Sequence, residues 1–229
     1  MTAGCSFTAG TSDMVSAVSK PTVWPHFVLS KLNPNIFNNL SLSGGGNISI
    51  ASNLVYFLQS KSYIDPAEIL IVFNISGLDR SDTMCPVDHP DANTTFSWSQ
   101  DFGYGWITSG GFLGGKSGTP FKGLLQKNMG IENIITFNCL ALTQALGYLE
   151  HRKFHYAFMV MDDQVLTDCP DWFMDVLNKY QSKWIQFEHS KTMNGHCAIN
   201  GLLDTDHFHP STAGHADIAD HVVNFLNLS

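Results

Sequence analysis

Two stretches at opposite ends of the chain hold the residue types that could do chemistry. Near the start is G-C-S-F-T, Gly4 to Thr8. Near the end is D-T-D-H-F-H-P-S-T-A-G-H, residues 204–215, with its aspartates and histidines crowded together. A serine hydroxyl becomes a nucleophile only when a base takes its proton and a third group orients the base. Ser6, in a tight glycine turn, fits the first role. Asp206 and His209 have the spacing D-x-x-H, which in a turn points both side chains the same way. Gly44 to Gly46 offer backbone N–H groups to a developing oxyanion. Each piece also has a plain structural reading. A serine after glycine makes turns and caps, a glycine run makes a flexible turn, and an aspartate before a helix favours its dipole.

The same tail supports a different chemistry. His207 and His209 form H-x-H, with Asp204, Asp206 and His215 close by in sequence. In a strand this spacing puts both imidazoles on one face, and zinc or iron accepts such ligands. Against it, Pro210 to Gly214 reads as a helix start. The rest of the chain shows no matching cluster of ligands, and Asp162–Asp163 reads as a strand end.

The elements that must position these residues alternate. Ile69 to Ile75 is a continuous, β-branched run, as expected of a strand buried on both faces. His155 to Met161 and Trp184 to Phe187 are similar. Asn39 to Ser43 is a shorter candidate and Thr2 to Cys5 a very short one. Between them lie helical stripes: Trp24, Phe27, Val28 and Leu32, with Pro25 in the first turn; Ile50, Leu54, Phe57 and Leu58; Ile134 to Leu149; and Asp171 to Tyr180. The last, Ile218 to Leu226, is capped near Ser211. This pattern predicts a single α/β domain over 1–229 with a parallel sheet covered on both faces. In such a sheet, ligands bind beyond the carboxyl ends of the strands. Ser6, Ser43 to Asn47, Asn74 to Arg80 and the D-x-x-H stretch all converge there.

Residues 81–120 break the alternation. They carry seven glycines between 103 and 118, and the aromatics Phe96, Trp98, Phe102, Tyr104, Trp106 and Phe112. The segment is too long for an ordinary connection and reads as an insertion or lid.

Composition narrows the function classes. The hydrophobic share of 44% and charged share of 14% are those of a folded chain. The net charge of -8 and the lack of a Lys/Arg cluster argue against nucleic acid and anionic membranes as partners. No apolar run approaches a membrane span. The N-terminus lacks the regions of a signal peptide, so the expected compartment is the cytoplasm. The five cysteines show no C-x-x-C spacing and are expected to be reduced.

Taken together, the blocks resemble the SGNH/GDSL hydrolases, a family of serine esterases and lipases. G-C-S-F-T stands where that family has G-D-S-x-[ST]. N-L-S-L-S-G, Asn39 to Gly44, stands for N-x-[AS]-x-x-G. D-H-F-H-P, Asp206 to Pro210, stands for D-x-x-H-P. V-W-P-H-F is similar to the T-W-P that opens the first helix in many relatives. The likeness is closest to phage-borne members, spans most of the chain in block order, and is weak between blocks.

The resemblance implies a flavodoxin-like three-layer α/β/α sandwich with a central parallel sheet of about five strands. It implies Ser6 as nucleophile, His209 as general base and Asp206 as its orienter, with no cofactor. The oxyanion donors would be the backbone N–H groups of Ser6 and Gly44 and a side chain from the third block. That block is G-x-N-D in the family, and here Ser76 stands in place of the asparagine. Asn47 or Asn74 is available to compensate. Arg80 is a candidate anchor for an acidic or polar substrate group, or a strand-end salt bridge. Cys5 replaces the usual aspartate and is expected as a small buried thiol.

The expected substrate is a small-molecule or glycan ester with a short acyl group such as acetyl. Trp98, Tyr104 and Trp106 are candidates for stacking on a sugar or for packing the lid. Two alternatives stand beside this reading. One is a catalytically degenerate module of the same fold, used for binding or in a virion. The other is a metal-dependent hydrolase built on His207 and His209. Homo-oligomer formation, and a phage virion or infected host cell as setting, follow from the resemblance alone.

Overall fold

The computed structural model describes residues 1–9, 22–42, 44–89, 103–108 and 130–228. Three parallel strands form the sheet: β1 (Thr2–Ala3), β2 (Leu70–Ile75) and β5 (His155–Val160), in the order β1-β2-β5. β2 and β5 pair over their whole length, from Leu70 opposite His155 to Ile75 opposite Val160. Single parallel bridges extend both edges, Thr2 to Asn39 and Phe158 to Trp184. Across the sheet the order is therefore Asn39, β1, β2, β5, Trp184. Among the described residues, the runs read as strands at 39–43 and 184–187 each contribute one bridging residue to this sheet rather than a ladder, and Ser43 lies outside those residues.

Alternation along the strands sends side chains to two separate cores. Ile71, Phe73 and Ile75 of β2, with Tyr156, Phe158 and Val160 of β5, face one core. It is completed by α2 (Asn47–Ser60), α3 (Ile131–His151) and α5 (Asp171–Lys179). Val72, Ala157 and Met159 face the other. There they meet α1 (Trp24–Leu32), α6 (Met193–Ile199) and α7 (Thr212–Leu228). The stripe Ile50, Leu54, Phe57 and Leu58 on α2 packs with Leu142, Leu146 and Leu149 on α3. Burying each such leucine is worth roughly 1.5–3 kcal/mol. The helix positions follow the apolar spacing, and α1 starts with proline in its first turn.

Four elements carry no such signal in the sequence. α4 (Asp163–Asp168) is a short helix whose N-cap is Asp162, the carboxylate accepting from Val165 N–H at 3.2 Å. α6 is capped by Thr192, whose hydroxyl accepts from Gly195 N–H. The described parts of the 81–120 segment form an antiparallel pair, β3 (Asp82–Pro86) with β4 (Tyr104–Thr108). That pair is fastened to α2 at two points. Trp106 Nε1 donates to Asn53 Oδ1 at 2.8 Å. The Asp82 carboxylate accepts from Gly46 N–H at 2.9 Å and Ser49 N–H at 3.0 Å, capping α2. Asp82 is buried, and burial raises its carboxyl pKa against the pull of those N–H groups and of Arg80.

Among the described residues no helix is long and apolar enough to cross a membrane. All five cysteines are free thiols.

Candidate active site

Ser6 lies in the turn after β1, past Gly4 and Cys5. The chain there turns as if starting a helix, with Thr8 N–H and Ala9 N–H both donating to Cys5 O, at 2.9 and 2.8 Å. The first donors of such a turn point outward. Among the described residues the N–H of Ser6 meets no protein acceptor. Gly4 is required by what lies over it: a Cβ would fall 2.3 Å from Thr8 Oγ1. Thr8 is itself held twice. Its hydroxyl accepts from Trp24 Nε1 at 3.3 Å, and its carbonyl from Asn39 Nδ2 at 3.0 Å. The second and fifth positions of G-C-S-F-T therefore do different work. Cys5 is fully buried, its sulfur against Met161 Sδ, while Thr8 fixes the turn that presents Ser6.

The D-x-x-H stretch is a hairpin-like loop between α6 and α7. Leu203 bridges Pro210, and Asp204 N–H donates to His209 O at 2.7 Å. His207 takes the left-handed conformation at φ 56°, which lets the chain reverse. Asp206 organises the turn with both carboxylate oxygens. Oδ1 accepts the N–H groups of Phe208 and His209, each at 2.9 Å. Oδ2 lies 2.6 Å from His209 Nδ1. The histidine bond and the two backbone N–H donors hold the Asp206 carboxyl well below the usual carboxylate range. His209 Nε2 in turn lies 3.2 Å from Ser6 Oγ. With Nδ1–H facing the carboxylate, Nε2 is left as the acceptor for the serine proton. Phe7 packs its ring 4.9 Å from the His209 ring and 5.4 Å from Phe208, closing the contact between the two ends of the chain.

Gly44 adjoins this turn, because Leu42 N–H donates to Gly4 O at 3.0 Å. Its φ of 74° is a left-handed conformation that suits glycine. Among the described residues its N–H meets no protein acceptor.

The remaining expected site residues are committed elsewhere. Ser76 is fully buried and its hydroxyl donates to Gly45 O at 3.0 Å, so it holds the glycine loop instead of facing the oxyanion position. Asn47 is fully buried too. Its amide clasps the Ser76 backbone, accepting from Ser76 N–H at 2.8 Å and donating to Ser76 O at 2.9 Å. Arg80 is nearly buried, donating to Gly45 O at 3.3 Å and lying against Met161 Sδ. It feels the charges of Asp82 and Asp162 and makes no direct ion pair among the described residues. These three residues brace the loops around the site, where spacing alone suggested donors and an anchor.

The aromatic candidates divide. Trp106 is 3% exposed in the core against α2, so its faces are not open to a sugar. Tyr104 packs on it and on Tyr56. Trp98 lies outside the described residues.

Two histidines outside the relay are buried. His26 is 2% exposed and accepts from Thr22 N–H. His196 is 6% exposed and lies 2.5 Å from Asp217. His215, one turn into α7, is also buried, and no partner reaches its Nδ1 among the described residues. Burial, aided by the charges of His209 and His26, pushes its pKa down to about 4.

The H-x-H reading finds no group of three donors around His207 and His209 among the described residues. Both nitrogens of His209 are already occupied by Ser6 and Asp206. A cleft of about 380 Å³ lies at the other edge of the sheet, by Glu68, His155, Lys183 and Phe225, away from these residues.

No protein-family model matches the chain, and no curated protein matches it.

Proposed function

We propose that the chain is a serine-dependent ester hydrolase of the SGNH type, working through an acyl-enzyme. The observation that carries this is the relay Ser6 Oγ to His209 Nε2 to Asp206 Oδ2, at 3.2 and 2.6 Å. Unrelated hydrolases share this order of groups, so geometry and roles identify it better than sequence position does. The order Asn39, β1, β2, β5, Trp184 supports the fold side of the reading. Numbered along the chain it is 2-1-3-4-5, the flavodoxin-like winding. The single-domain organisation over 1–229 belongs to the same proposal.

In the reaction, His209 takes the Ser6 proton as Oγ attacks the ester carbonyl. The N–H groups of Ser6 and Gly44 receive the negative oxygen. The tetrahedral species collapses, His209 returns the proton to the leaving alcohol, and the acyl group stays on Ser6. Water, activated by the same histidine, then releases the acid. Asp206 keeps Nδ1 protonated and the ring aimed, and it remains a carboxylate throughout because its pKa is held low. The Ser76 hydroxyl, turned to Gly45 O, braces the loop that carries Gly44. Short acyl groups, such as acetyl on a carbohydrate, are the substrate class proposed.

The same commitment of Ser76 and Asn47 favours one other reading, a degenerate member of this fold kept for binding. A panel of p-nitrophenyl esters separates the two. The proposal expects turnover by the wild type, strongest with acetyl or butyryl esters and lost in Ser6→Ala. Equal rates for wild type and Ser6→Ala would leave only the binding module.

A further inference from the structure

A second cluster of histidine and carboxylate lies where α6 meets α7. His196 projects from α6. Asp217 and His221 stand one turn apart on α7, on the same face. One donor atom from each lies within 4.8 Å of the other two. His196 Nε2 is 2.5 Å from Asp217 Oδ2, and His221 Nε2 is 3.7 Å from the same oxygen.

We propose that His196, Asp217 and His221 bind a divalent transition-metal ion, with zinc as the natural occupant. The donor set decides the class of ion. Two imidazoles and one carboxylate suit zinc and its neighbours, whereas calcium and magnesium take oxygen shells. Zinc ligands at about 2.0–2.2 Å from the ion stand roughly 3.4 Å apart in a tetrahedron. The three donors need to shift by only about 1 Å to reach that spacing.

Other residues hold the two rings in place for it. Phe187 stacks on the His196 ring at 4.7 Å and meets the His221 ring edge-on at 5.1 Å. The Asn200 amide lies 3.3 Å from His196 Nδ1. The same Asn200 Nδ2 donates to His196 O at 2.9 Å, which ties the amide and the ring to the end of α6. Asp217 and His221 are partly exposed, which leaves an entry path and room for a water as fourth ligand.

An ion here would tie α6 to α7. Those two helices close the base of the loop that carries Asp206 and His209. Leu202 N–H donates to Cys197 O on α6, and Ser211 Oγ donates to Leu202 O just ahead of α7. The ion is thus a clip for the loop, with no part in acyl transfer, and the proposal stands whether or not the chain is an esterase.

The test uses the full chain stripped with chelator and then dialysed against Zn²⁺, with Co²⁺ as a spectroscopic probe. The wild type should bind one equivalent of zinc and melt at a higher temperature with it. Its cobalt form should show the visible absorption of a tetrahedral site. Asp217→Asn and His221→Gln, each shown to be folded by circular dichroism without metal, should lose affinity at least about tenfold along with the cobalt band. His207→Gln, in the loop itself, should bind as the wild type does. The proposal is overturned if the wild type takes up no stoichiometric zinc. It is equally overturned if zinc or cobalt binds Asp217→Asn and His221→Gln as it binds the wild type, because the cluster is then a hydrogen-bonded contact only.

Discussion

At the scale of residues, the site joins positions 203 apart in the chain through one hydrogen bond, Ser6 to His209. Its two halves were legible for different reasons. D-x-x-H works because one carboxylate can take two backbone N–H groups of its own turn and still reach the histidine three residues on. That is local geometry, and spacing encodes it. The roles of Ser76, Asn47 and Arg80 were not legible, because they depend on which carbonyl each donor meets in the folded chain. Ser76→Ala tests this directly. A lost oxyanion donor typically costs about 10²–10³ in kcat. A lost brace on Gly45 O should cost less than about tenfold in ester turnover, together with roughly 1 kcal/mol of stability. A hundredfold fall in kcat with unchanged stability would return the hydroxyl to the oxyanion. The histidines divide along the same line: His26 and His196 are ordinary polar letters in the sequence, and only tertiary packing buries them.

At the scale of elements, apolar period found α1, α2, α3, α5 and α7, because each buries a long stripe. It missed α4 and α6, which are too short to show a stripe and are set by their caps, Asp162 and Thr192. It also missed the β3–β4 pair, whose strands are short and carry Pro86 and Gly105. The parallel sheet was readable from β2 and β5, whose apolar runs are buried on both faces, while the edges at Asn39 and Trp184 shrank to single bridges. The link between β3 and the site runs through Asp82, which caps the helix that follows the glycine loop. Asp82→Ala removes the acceptor of two buried N–H groups. It should cost about 1–3 kcal/mol, read by urea denaturation. Because α2 begins at Asn47, just after Gly44, ester turnover should fall with it. Unchanged stability would mean that the cap contributes nothing to holding β3 on α2.

At the scale of the whole molecule, two cores on either side of one sheet leave the strand ends to carry the site. Ser6, Gly44 and the D-x-x-H loop all lie at the carboxyl edge. His215, buried at the start of α7, lies near enough to His209 to feel its charge. Its pKa in the folded chain, about 4, is below its ordinary value of 6.5. Between those values the unfolded chain binds the proton more readily, so stability falls as pH drops from 6.5 to 4 and the effect levels off below. The loss is up to about 3 kcal/mol over that window. His215→Gln should flatten that part of the pH–stability curve from urea denaturation, whatever it does to stability at neutral pH. The same slope in both proteins would mean that His215 is not the buried neutral group described.

The relay between the two ends of the chain is the centre of the account, and a fluorophosphonate probe tests it most directly. The probe should form one covalent adduct, located on Ser6 by peptide mass spectrometry. The adduct should be absent in Ser6→Ala and form at least about a hundredfold more slowly in His209→Ala. No adduct on the folded wild type, or an adduct on another residue that persists in Ser6→Ala, would contradict it.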